Sequence, residues 1–178
     1  MKVLIIGLGS IAHKHIAALK TLVPDCKIYA LRSNQLGSEV EGVSNCYSLA
    51  EVPSDISFII ISNPTSLHLQ TIKEVSHFGA PLFVEKPPID SLNHVDDLTR
   101  LVRSLEIPTY TAFNLRFHPV IQWLKDNIEF FRVIEVNAYC GSYLPDWRPD
   151  KDYRKVYSAR KELGGGVHLD LTHEIDYL

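Results

Sequence analysis

Between residues 2 and 113 the sequence alternates short β-branched runs with longer amphipathic stretches, and that order leaves few folds open. "KVLIIG" reads as a buried strand, and Ile11 to Leu22 as a helix ended by Pro24. "KIYAL" is a second strand, and residues 33 to 55, broken by Gly37, Gly42 and Pro53, read mostly as loop with short elements. "ISFIII" is a strong central strand, Thr65 to Phe78 a helix stopped by Gly79, and "PLFV" the next strand. Leu92, Val95, Leu98, Leu101, Val102 and Leu105 recur at helical spacing, which predicts a helix from Ser91 to Leu105, and "PTYTAF" closes the series as another strand. Strands that alternate with helices predict an α/β fold: a doubly wound parallel sheet with helices on both faces.

The rhythm changes near residue 118. Val120 to Ile128 reads as a helix, and Phe131 to Cys140 as one long alternating strand. A loop rich in Pro, Tyr and charge follows, and a final helix carries His168, Asp170, His173, Glu174 and Asp176. The expected division is an α/β domain over 1–118 and a partial α+β domain over 119–178. One strand cannot form a sheet alone. Either the region after about residue 120 is poorly packed, or an unpaired edge there invites a second copy to associate by strand addition or exchange.

Bulk properties exclude several classes. The formal net charge is −3 and no run of Lys and Arg appears, which speaks against nucleic acid and anionic membranes as partners. Cys26, Cys46 and Cys140 are widely spaced without a C-x-x-C pair, so they read as reduced thiols in a cytoplasmic protein, with neither a disulfide frame nor a metal site. The apolar start is too short for a membrane span.

The first strand–helix junction, "GLGSIA", fits G-x-G-x-x-A. Gly7 suits a tight turn, Gly9 lets a pyrophosphate approach the backbone, and Ala12 permits close helix–strand packing. The N–H groups at the helix start, from Ser10 and Ile11 onward, face the anion. The end of the second strand ordinarily selects the cofactor, through an acidic residue that holds the ribose 2′-hydroxyl of NAD. Here it reads "ALRSN", with Arg32 and Ser33 in that place and no carboxylate before Glu39. A cation and a hydroxyl suit a 2′-phosphate, which favours NADP(H) over NAD(H).

"FVEKPP" puts Glu85 and Lys86 at the carboxyl end of a strand, where open α/β sheets bind ligands. The bond between Lys86 and Pro87 is a candidate cis peptide. With "GLGSIAHKH", "ISNPTSLH", "EKP", "NLRFHP" and "GGGVHLDLTHEID" in that order, the sequence resembles the Gfo/Idh/MocA family of sugar and cyclitol oxidoreductases. The loop "LPDWRPDKDYRKVYSA" is similar to the branch acting in surface-polysaccharide sugar pathways.

The resemblance implies roles. Asn63, Pro64, Thr65 and His68 would line the cofactor near the nicotinamide, with Glu85 and Lys86 beside them. Lys86 would also contact the reacting hydroxyl. Asp170 and His173 would face the substrate, a sugar or nucleotide sugar, with His173 as general acid/base. Asn114, Arg116, Trp147, Arg148 and Tyr153 would be further substrate contacts. Oxidation of an alcohol needs a base for the hydroxyl proton, a task that suits a histidine, and a nearby cation stabilises the developing alkoxide. Many family members space the pair Asp-x-x-x-His, whereas this chain has Asp170-x-x-His173. Three and four residues share a helix face but differ by about 100° around the axis. His13, His15, His77 and His94 read as surface or packing residues.

The resemblance also implies a second domain with a large antiparallel sheet, of which this chain holds one strand and one helix, as in a truncated product. The alternative functions are a non-catalytic dinucleotide-binding remnant and, from the glycine turn alone, a methyltransferase.

Overall fold

The computed structural model describes residues 1–35, 39–147 and 149–178. Its centre is a six-stranded, wholly parallel sheet. The strands are β1 (Lys2–Ile6), β2 (Lys27–Leu31), β3 (Val43–Cys46), β4 (Phe58–Ile61), β5 (Leu82–Val84) and β6 (Thr109–Thr111). Their spatial order is β3-β2-β1-β4-β5-β6, so the order reverses between β1 and β4. Such a switch point leaves a crevice outside the carboxyl ends of the two central strands.

The apolar runs are continuous because both faces of the sheet are covered. On one face Val3, Ile5, Ile28 and Ile60 pack with Ala12 and Ile16 of helix α1 (Ser10–Leu22). On the other, Leu4, Ile6, Ile59, Ile61, Leu82 and Val84 meet Ile72 and Val75 of α2 (His68–Val75). Leu98, Leu101 and Leu105 of α3 (Val95–Leu105) cover the same face. The helical spacing read from the sequence is therefore a packing face. Short 3₁₀ turns at Thr65–Leu67, Ser76–Phe78 and Leu92–His94 extend α2 and α3 to nearly the lengths expected. β3, hidden in a stretch read mostly as loop, pairs with β2 despite its polar "VSNC" sequence: it lies at the sheet edge, with Cys46 buried.

Two expectations fail in the last third. The segment read as a long strand over Phe131–Cys140 forms no strand and no ladder, and Ile134 and Tyr139 are 90% and 95% exposed. Alternation favours an extended chain, but a strand exists only where a neighbour supplies donors and acceptors. Upstream of it, α4 (Pro119–Asn127) forms as expected but buries no residue, with Trp123 exposed. The final helix is two short ones, α5 (Val167–Asp170) and α6 (His173–Asp176), separated at Leu171 and Thr172. Asp170 and His173 thus lie on different helices, and the argument that they share one helix face does not apply. Among the described residues no helix is long and apolar enough to cross a membrane.

Candidate active site

At the switch point the ends of three strands are stitched together. Gly7 N–H donates to Leu31 O at 3.0 Å, and Ser62 N–H donates to Ile6 O at 2.9 Å. Ser62 Oγ adds bonds to Ile6 O at 3.0 Å and to Gly7 O at 3.1 Å. A Cβ on Gly7 would lie 2.8 Å from Asn63 Cα, and its φ is +83°, so only glycine fits there. A cleft of about 700 Å³ opens above this knot.

One wall of the cleft is the start of α1, with Gly9, Ser10 and Ile11. No side chain caps the helix, its first turn has no acidic residue, and a Cβ on Gly9 would meet nothing within 4 Å. Open amides at the positive end of a 13-residue helix suit a phosphate group. Ala12 is fully buried against the sheet, as close helix–strand packing requires. Arg32, Ser33 and Asn34 form the rim. Arg32 Nη1 donates to Asn45 Oδ1 of β3 at 3.4 Å, and Arg32 N–H donates to Cys46 O at 2.9 Å, so the edge strand helps to place this cation.

The segment after β4 lines the floor with Asn63, Pro64, Thr65 and His68. Asn63 Nδ2 donates to Thr71 Oγ1 at 2.7 Å, while Asn63 Oδ1 is buried without a partner among the described residues. A buried acceptor of this kind is costly unless a ligand donor meets it. His68 is 1% exposed. Its Nδ1 lies 3.1 Å from Pro87 O and its Nε2 3.0 Å from Asn63 O. Burial pushes its pKa down, against the pull of those two carbonyls. His68 therefore ties the β4 end to the β5 end while it lines the cleft.

Glu85 and Lys86 follow β5 and line the same cleft, and the Lys86–Pro87 peptide is cis, as expected. Glu85 Oε1 lies 2.7 Å from His15 Nε2, in a pair whose side chains are 12% and 18% exposed. His15 also stands edge-on to Phe83, with ring centroids 5.6 Å apart. The sequence reading gave His15 only a surface or packing role. Its position three residues after Ala12, near the buried side of α1, is the one signal that could have linked it to the β5 end.

The C-terminal segment reaches back over the cleft. Lys86 Nζ donates to the backbone carbonyl of Asp170 at 2.6 Å, and Asp170 lines the cleft beside it. Tyr157 is hydrogen-bonded to Thr65 Oγ1 and donates from its hydroxyl to Gly164 O at 2.8 Å. Burial raises its pKa. Gly164, with φ +84°, sits where a Cβ would be 2.8 Å from Thr65 Cβ. The "GGG" run thus permits a close approach of the C-terminal segment to the turn before α2. Tyr157 and Ser158 line the cleft and were missed, because no local pattern announces a contact between positions 92 residues apart.

The remaining expected residues are distributed unevenly. Among the described residues that line the cleft, Trp147 is included, with its Nε1 donating to Ser142 Oγ at 2.5 Å. Tyr153 lies outside the lining, under the guanidinium of Arg154 at 5.0 Å. Asn114 is exposed, and Arg148 lies outside the described residues. Arg116 directs its fork at Asp176, with Nε to Oδ2 at 2.8 Å and Nη2 to Oδ1 at 2.6 Å. His173 is not part of the cleft lining; it stands edge-on to Phe113 with ring centroids 5.8 Å apart, and its buried Nδ1 has no partner among the described residues. Burial first, and then the Lys86 charge, lower its pKa, against the opposing pull of Asp176, Glu85 and Glu174. His168 is exposed.

Comparison with known proteins agrees with this geometry. The Gfo/Idh/MocA model, described as an oxidoreductase family with an NAD-binding Rossmann fold, matches residues 1–112. An uncharacterized oxidoreductase, YrbE of Bacillus subtilis, is 29% identical over 97% of this chain and 51% of its own length. Myo-inositol 2-dehydrogenase of Thermotoga maritima is 26% identical over 99% of this chain and 53% of its own. The chain spans about half the length of these curated relatives. The WlbA (WbpB) dehydrogenase of Thermus thermophilus, solved with NAD and alpha-ketoglutarate, superposes with a TM-score of 0.72 at 20% identity. That superposition covers 100% of this chain and 61% of the other. The WlbA dehydrogenase of Bordetella pertussis, solved with NADH and UDP-GlcNAcA, has a TM-score of 0.63 at 19% identity, covering 72% and 42%. On the match over residues 1–112, with the glycine turn and the sheet order in agreement, the chain belongs to the Gfo/Idh/MocA family of oxidoreductases with an NAD-binding Rossmann fold.

Proposed function

We propose that this chain carries the dinucleotide site and part of the catalytic site of an NAD(P)-dependent oxidoreductase acting on a CH–OH group of a sugar, nucleotide sugar or related polyol. The observation that carries this reading is that Lys86 and Asp170 share one cleft with the open start of α1. The substrate class rests on family membership and on relatives named as dehydrogenases of inositols and of levoglucosan. In this reading residues 1–118 bind the dinucleotide, and residues 119–178 contribute to the substrate side.

The chain's own groups divide the work. The Gly9, Ser10 and Ile11 amides hold a pyrophosphate, and Asn63 Oδ1 accepts a hydrogen bond from the bound dinucleotide. Oxidation of a CH–OH carbon needs a hydride acceptor, which a nicotinamide supplies when bound. Lys86 holds the reacting oxygen and stabilises it as its proton leaves. His173, kept neutral by burial and by the Lys86 charge, lies outside the cleft lining and takes up that proton through a bridging water. Turnover of a panel of inositols, aldoses and nucleotide sugars with each cofactor tests the proposal. Dinucleotide binding without turnover of any of them, in the longest chain that carries this sequence, would favour a binding module instead.

Arg32 and Ser33 at the rim favour NADP(H) over NAD(H) in this reading. Arg32→Ala is expected to weaken NADPH binding by about tenfold, the scale of one charge-assisted contact, and to leave NADH nearly unchanged. Fluorescence titration with both nucleotides measures this. Equal losses would mean that Arg32 does not meet a 2′-phosphate.

A further inference from the structure

Phe113, Arg116, His173 and Asp176 form a closed group outside the cleft. The first two come from the turn after β6, and the last two from opposite ends of α6. Arg116 grips both carboxylate oxygens of Asp176. Its guanidinium also lies over the Phe113 ring, 5.3 Å from the centroid. Phe113 in turn stands edge-on to His173, at an interplanar angle of 79°. The Asp176 side chain is only 8% exposed, whereas that of Arg116 is 60% exposed, so the fork reaches from the surface to a buried carboxylate. An α6 of four residues cannot hold its own orientation, since isolated helices that short are not stable in water.

We propose that Arg116 and Asp176 are a positioning pair: their two-point fork, with Phe113 between, anchors α6 and so fixes the place of His173 against Phe113. Arg116 is thereby assigned away from substrate. The importance of His173 rests on the function proposed above, but the anchoring does not. Bidentate geometry suits this task because two parallel bonds fix the angle of α6 as well as its distance, which a lysine cannot do. The charged groups acting on His173 are Lys86 and Glu85 from the end of β5, Glu174 and Asp176 from its own helix, and Arg116 through Asp176.

The test needs no substrate. In the wild-type chain, the His173 ring followed by NMR should titrate below the ordinary imidazole value of about 6.5. Arg116→Ala leaves the Asp176 charge uncompensated and exposes the ring, so the His173 midpoint should rise by about half a unit. Arg116→Lys keeps the charge but loses the fork, and should move it the same way by less. Arg100→Ala, which breaks the exposed pair with Asp97, should leave it unchanged. Amide spectra of β1 and β4 report whether each variant is folded. If Arg116→Ala does not fold, Arg116→Lys alone decides. A His173 midpoint unmoved in a folded Arg116 variant overturns the proposal, whereas absence of sugar turnover would affect only the function.

Discussion

Replacing Lys86 with alanine is expected to lower kcat/KM for sugar oxidation by about a hundred- to a thousandfold, the cost of removing one charged group that stabilises a developing oxyanion. Dinucleotide affinity should change by less than about threefold, because the start of α1 lies on another wall of the cleft. A second readout accompanies the loss. The Lys86 charge is one of the causes that lower the pKa of His173. A base must be neutral to accept a proton, so oxidation should fall as pH drops through the lowered His173 value. Without Lys86, the residual rate should fall at a higher pH, nearer the ordinary value of about 6.5. An unchanged acid limb would mean that Lys86 and His173 do not act on one another, and unchanged turnover would reduce Lys86 to a turn residue.

A large loss of stability is expected at Gly7. Gly7→Ala places a methyl 2.8 Å from Asn63 Cα and 2.9 Å from Asn63 N, both backbone atoms that cannot rotate away. It also forces a side-chain-bearing residue to φ +83°. Overpacking and backbone strain together come to about 2–4 kcal/mol, which for a chain of this size is a fall in Tm of roughly 5–15 °C. Gly9→Ala is the internal comparison. Its Cβ meets nothing within 4 Å and its φ of −84° suits any residue, so stability should stay within about 0.5 kcal/mol. The added methyl does stand at the open helix start, so dinucleotide binding should weaken. Calorimetry separates the two variants. Equal Tm values for both would show that β1 and β4 approach less closely at this turn than the structure has it.

How far such features can be read from a sequence depends on what enforces them. The sheet and its helices were legible because burial on both faces leaves continuous apolar strands, and burial on one face leaves helical periodicity. The glycine turn and the "EKP" turn were legible because close backbone approach and strand-end position restrict residue type locally. β3 was obscure because an edge strand of four residues needs little apolar character. The Phe131–Cys140 segment misled because alternation encodes an extended chain and says nothing of a partner. Tyr157 on Thr65, His15 on Glu85 and Arg116 on Asp176 join positions 92, 70 and 60 residues apart. Their meeting is a property of the folded chain, and of the three only His15 carries a local hint, its place near the buried side of α1. The same holds for His173, which lies outside the cleft lining on a helix separate from that of Asp170, a break that its spacing from Asp170 did not reveal.

The proposed function requires the open start of α1 and the cleft above it to hold a nicotinamide dinucleotide. Titration of the isotope-labelled chain with NADPH and with NADH, followed at the backbone amides, tests it most directly. The expected result is saturable binding at sub-millimolar concentration, with the largest shifts at Gly9, Ser10 and Ile11, a response of the Asn63 side-chain amide, and tighter binding of NADPH. No shift at those amides with either nucleotide at millimolar concentration, in a chain whose β1 and β4 resonances show it to be folded, would contradict the account.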